Sequence, residues 1–133
     1  MKKFILAASI TIIAAGGMAF ADSTTKTEAK GELRPTQKIM QARNAWMKSM
    51  NDNYNSGNIG AITQDAQALG AQTKQVAQKL TNAEAKEYTL AISALTKDLV
   101  ANIAKKDNAA TLVSLREIKN KCGSCHLVFR DKK

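Results

Sequence analysis

What most constrains this chain is the rhythm of its apolar residues, which return every three or four positions from Thr36 to Phe129 with a single proline, Pro35, in the whole sequence. That period follows the 3.6-residue turn of an α-helix and conflicts with the strict alternation of a half-buried strand. The clearest stretch is Ile59, Ile62, Ala66, Leu69, Thr73, Val76 and Leu80. Its regular three–four spacing makes the seam along which one helix packs on others.

Four such segments can be drawn. Thr36, Met40, Arg43, Met47, Met50 and Tyr54 share one face of a first helix over about Pro35–Tyr54, with Ile39 and Trp46 flanking it. Pro35 suits the first helical position, where a missing N–H costs nothing. Asn55-Ser56-Gly57-Asn58 reads as a turn, followed by a second helix over Ile59–Leu80. Thr81-Asn82-Ala83-Glu84 reads as a capping box with Thr81 as the cap. It opens a third helix striped by Tyr88, Ile92, Leu95, Leu99 and Ile103 and ending near Lys105-Lys106. Asp107-Asn108 caps a fourth helix to about Phe129, with Leu112, Leu115, Ile118 or Lys119, Cys122, Cys125, His126 and Phe129 inward. Four helices of about 30 Å each, joined by short links, predict an all-α, antiparallel up-down-up-down four-helix bundle. Its domain would span residues 34–133, preceded by a polar leader over 22–33.

Within the fourth segment lies Cys122-Gly123-Ser124-Cys125-His126, which contains both cysteines and the one histidine of the chain. C-x-x-C-H is the attachment signature of a c-type haem. Two thiols three positions apart on a helix point the same way and can each form a thioether with a haem vinyl group. The next residue, His126, then lies where its imidazole can ligate the iron. A structural zinc site wants four ligands, and three crowded into five residues fall short. A thioredoxin-like pair belongs at a helix N-terminus in a βαβ unit, and nothing here reads as a strand.

The first 21 residues fit the compartment such chemistry needs. Lys2 and Lys3, an uncharged apolar run from Phe4 to Phe20, and Ala19-Phe20-Ala21 read as a secretory signal peptide cleaved before Asp22. The alternative, a retained membrane anchor, is disfavoured by the shortness of the run and by Gly16-Gly17 within it. The mature chain is long enough for one small core. Twenty basic residues against 11 acidic ones give a net charge of +9, which could steer the chain toward an acidic partner or an anionic membrane face, although their even spread fits a simple solvated surface better. The basic residues are scattered among few aromatics, so nucleic acid is not indicated. No nucleophile–base arrangement is evident, and no substrate-transforming role is expected.

A four-helix chain with its haem motif on the last helix resembles the class II c-type cytochromes, the cytochrome c′ family. Cys122-Gly-Ser-Cys-His-Leu-Val-Phe-Arg130 is similar to that family's C-x-x-C-H-x-x-[YF]-R ending, with Leu127 where relatives often carry a polar or acidic residue. The resemblance implies one covalent haem c attached in the periplasm, Phe129 packed on the ring, and Arg130 near the proximal imidazole or a propionate. Its relatives occur as monomers or homodimers, and the Gln, Lys and Asn on the outer faces of the first two helices give no evident tight dimer.

The family divides on the sixth iron ligand. Low-spin members fill it with a first-helix methionine and carry electrons. High-spin members leave it open to small gases such as NO or CO. With no second histidine, the endogenous candidates here are methionines. The segment Thr36-Gln37-Lys38-Ile39-Met40 resembles the one that holds the ligand in low-spin relatives, which makes Met40 the first choice. Met47, four residues after Arg43, is the alternative, and no protein ligand is a third. Methionine at helical spacing is also ordinary core filler. Thr36, Arg43 and Met47 would line the haem pocket. Arg43, on an otherwise apolar ladder, needs an anion, and a haem propionate would supply one. The expectation is therefore a periplasmic monohaem electron carrier with His126 and Met40 on the iron and no stable membrane insertion after signal cleavage. A high-spin NO- or CO-binding protein is the alternative.

Overall fold

Pro35 opens the first helix, α1 (Pro35–Asn55), and the backbone N–H of Arg34 donates to Gln37 Oε1 at 2.9 Å to close its first turn. The computed structural model describes residues 34–129. The expected signal peptide (1–21), leader (22–33) and Arg130 lie outside them. α1 ends where Gly57 takes φ 76°, a left-handed turn that costs a glycine nothing. One turn of 3-10 helix, Ile59–Ala61, then leads into α2 (Ile62–Lys79), so the second ladder begins one turn later as α-helix than its spacing predicts.

α3 (Ala83–Ala104) is capped by Asn82 and not by Thr81: Asn82 Oδ1 accepts from the Ala85 N–H at 2.9 Å. Either residue type can cap. The backbone decides, because it is Asn82 that holds the extended φ −73°, ψ 118° just before the first helical residue. α3 ends without a glycine, and Lys106 takes φ 57° itself. α4 (Asn108–Phe129) starts as expected, with Asp107 Oδ1 accepting from Ala110 N–H at 2.9 Å.

Among the described residues the fold is thus all-helical, with four long helices and no strand. The fully buried core is Met50 from α1, Ile62, Ala66 and Leu69 from α2, Ile92 and Leu99 from α3, and Leu115 and Ile118 from α4. Late in α2 the buried position passes from Val76 to Ala77. Six hydroxyl residues are buried as well: Thr73, Thr89, Ser93, Thr96, Thr111 and Ser114. Most satisfy their hydroxyl on a backbone carbonyl one turn back, as Thr73 does on Leu69 O at 2.9 Å and Thr89 on Ala85 O at 2.8 Å, so they enter the core without an orphaned polar atom.

α2 packs most extensively on α3, and α3 on α4; α1 leans on α2 and meets α4 over a short stretch only. Gly70 shows how close α2 and α3 come. A Cβ there would collide with Thr96 Oγ1, and its carbonyl accepts from Ser93 Oγ at 3.1 Å. The α2–α3–α4 side is therefore tight, and the looser α1–α4 seam is left to hold a site. No described helix is long and apolar enough to cross a membrane.

Candidate functional site

Met40 on α1 and His126 on α4 together line two cavities at the α1–α4 seam. The larger, about 540 Å³, is bounded on one side by Arg34, Thr36, Gln37 and Met40 and on the other by Cys125, His126 and Phe129. Its size is that of a cofactor site. The smaller, about 270 Å³, adds Arg43, Asn44, Met47, Lys48 and Asn51 from α1 and Lys119 from α4. Among the described residues no carboxylate lines either cavity. A groove of about 330 Å³ between α2 and α3, and another of about 220 Å³ beside Tyr88, contain no cysteine, histidine or methionine. Met40, Met47, Cys125 and His126 border the seam cavities, whereas Cys122 borders neither and packs against the core.

Arg43 is the unusual residue of this region. Only 8% of it is exposed, its Nε donates to Gln72 Oε1 on α2 at 3.0 Å, and its Nη2 is buried without any hydrogen-bond partner. Burial pushes the guanidinium pKa down, while the neighbouring Cys122 and Cys125 sulfurs pull it back up. Arginine keeps its proton under such conditions. The cleft therefore has a buried positive charge in its wall that no acidic side chain among the described residues offsets, and unpaired buried charges are costly unless an anion meets them.

Cys122 and Cys125 are half-buried free thiols. Burial raises both pKa values, and the charge of Arg43 pulls in the opposite direction. Among the described residues no three His, Cys, Asp or Glu side chains gather to hold a metal ion, and a closed four-ligand zinc site is not built.

Of the residues singled out by sequence, Met40, Thr36, Cys125, His126 and Phe129 meet at the larger cavity, and Arg43 and Met47 join Met40 and His126 at the smaller. Thr36 lines the cavity from an exposed position in the first turn of α1. Phe129, expected to face inward, is 37% exposed and lies edge-on to Tyr88 of α3, with centroids 6.1 Å apart and planes at 81°. Lys121 Nζ sits 5.4 Å from the Tyr88 ring centre. Arg34, Gln37, Gln72 and Tyr88 were not legible as site residues. Each is a polar or aromatic residue of a type common on helix surfaces, and only tertiary packing gives them their neighbours.

No known protein family, characterised protein or solved structure shows a significant match to this chain.

Proposed function

We propose that this chain is a periplasmic monohaem c-type cytochrome that carries single electrons, with an up-down-up-down bundle of the cytochrome c′ type holding the haem at the α1–α4 seam. The observation that carries the reading is that Met40 and His126, from different helices, line the same two cavities, the larger of which also contains Cys125. The uncompensated Arg43 charge in the cleft wall fits a cofactor that brings carboxylates. Bound haem supplies one-electron redox chemistry at its iron.

The residues then divide the work. Cys122 and Cys125 would hold the ring to α4 through thioether bonds to its vinyl groups. His126 would offer an imidazole and Met40 a thioether to the iron, and Met40 is preferred to Met47 because it borders both cavities while Met47 borders only the smaller. Thioether and imidazole ligation together favour the reduced state and raise the potential. Met47 and Phe129 supply apolar wall that lowers the local dielectric. The Arg43 charge acts in the same sense, because reduction adds a negative charge nearby. The bound haem would exchange single electrons with a redox partner, and the surplus of basic residues suits an acidic one.

Expression of the full chain alongside a bacterial haem-attachment system tests the proposal. Intact-mass measurement should show one added haem in the wild type and none in the double variant Cys122→Ser/Cys125→Ser. A colourless wild-type chain of unmodified mass would contradict it.

A further inference from the structure

Arg43 has a dedicated partner that the haem reading does not explain. Gln72, half-buried on α2, accepts the Nε–H of Arg43 at 3.0 Å. This bond pins one edge of the planar guanidinium, fixing its orientation, while Nη2 stays buried and unpartnered. If stabilisation of Arg43 were the only requirement, a carboxylate at position 72 would serve better, since a charged acceptor both bonds and neutralises. An amide bonds without neutralising. The lysines lining the smaller cavity are Lys119, which adds to the positive charge, and Lys48, which is ion-paired with Asp52 at 2.6 Å.

We infer that Gln72 is a positioning residue for the redox site: it holds Arg43 in one orientation beside the Met40–Met47–His126 cleft without itself adding a negative charge, so that the full charge of Arg43 faces the carboxylates the cofactor brings. The haem potential is thereby set higher than the axial ligands alone would set it. The inference rests on the haem reading above and assigns to α2, which contributes no iron ligand, a part in tuning the iron. A neighbouring charge changes a redox equilibrium according to how far it is neutralised, and the low-dielectric surroundings of a buried group strengthen that effect.

Two variants of the holoprotein separate charge from structure. Gln72→Glu keeps the acceptor and cancels the charge. Gln72→Met keeps the length, loses the acceptor and leaves the charge in place. Titration against redox mediators should show the reduced-to-oxidised ratio at fixed potential falling by about tenfold or more in Gln72→Glu, equivalent to about 59 mV for a one-electron couple. Gln72→Met, which releases the guanidinium from its fixed orientation, should lower the ratio as well, but by less than Gln72→Glu. Thermal unfolding of the haem-free proteins should rank Gln72→Glu above wild type and Gln72→Met below it. A purely structural role would produce that ranking and leave the potential alone. The inference is overturned if haem-loaded Gln72→Met, or haem-loaded Gln72→Glu, keeps the wild-type potential. A wild-type chain that takes up no haem would overturn the haem reading first and this inference with it.

Discussion

Gly70→Ala tests whether the tight side of the molecule is what sets the geometry of the open side. In the middle of a helix this exchange ordinarily stabilises by about 1 kcal/mol, because alanine loses less backbone entropy than glycine. At position 70 the added methyl would sit well inside contact distance of Thr96 Oγ1 and 3.3 Å from Thr96 Cβ. Thr96 is buried and its hydroxyl donates to Ser93 O at 2.8 Å, so swinging the oxygen away sacrifices a bond worth about 1 kcal/mol. Overpacking of this kind costs about 1–3 kcal/mol. The clash and the lost bond outweigh the propensity gain, and Gly70→Ala should destabilise by about 1–2 kcal/mol. In a Thr96→Ala background the oxygen is gone and only the 3.3 Å Cβ contact remains. There the same exchange should be neutral or stabilising by up to about 1 kcal/mol. Urea unfolding followed by circular dichroism, run as a double-mutant cycle, reads this change of sign. A Gly70→Ala protein as stable as wild type, with no coupling to position 96, would refute the close α2–α3 approach. Gln72 lies two residues further along α2, so the same packing helps set where its amide meets Arg43.

Two other perturbations follow from local chemistry. Asn82→Ala should cost about 1 kcal/mol through loss of the α3 cap, whereas Thr81→Ala should change stability by only a few tenths of that; urea midpoints of the two variants separate them. The raised thiol pKa values give the haem-free chain a pH dependence of definite sign. The folded state holds these protons more tightly than the unfolded one, so their contribution is complete below the ordinary thiol value of 9.0 and is lost as pH rises from there toward the higher folded values. Haem-free wild type should therefore lose stability above that pH faster than Cys122→Ser/Cys125→Ser, as thermal unfolding at stepped pH would show.

Much of the architecture was legible because apolar spacing and turn chemistry agree. The Met40–Met50–Tyr54 face, the Ile62–Leu69 ladder, the Gly57 turn and the Asp107 cap all lie where residue type alone puts them. The failures have physical causes. Thr81 and Asn82 are both competent caps, and backbone torsion chose between them. Lys106 in the left-handed region carries no sequence signal, since glycine or asparagine is the usual occupant. Buried Thr96 and Ser114 look like surface residues until their hydroxyls find partners, Ser93 O for the first and Asn102 Nδ2 for the second.

At the site, the Cys122–His126 motif was visible because its chemistry is rare in this chain, which has one histidine and two cysteines, whereas Met40 was set apart from the other methionines only by the resemblance of its segment to that of low-spin relatives. Arg43 was visible because a charge interrupts an apolar face. Gln72 was not, since a lone glutamine on a helix with several others carries no mark of the arginine it holds.

The central claim is that a first-helix methionine completes the iron's coordination opposite His126. The most direct measurement is the optical spectrum of the ferric holoprotein in wild type and Met40→Ala. The account predicts a low-spin wild type with a sulfur-to-iron charge-transfer band, and loss of that band in Met40→Ala but not in Met47→Ala. A high-spin wild type whose reduced form binds CO rapidly would contradict it and point to an open, gas-binding site.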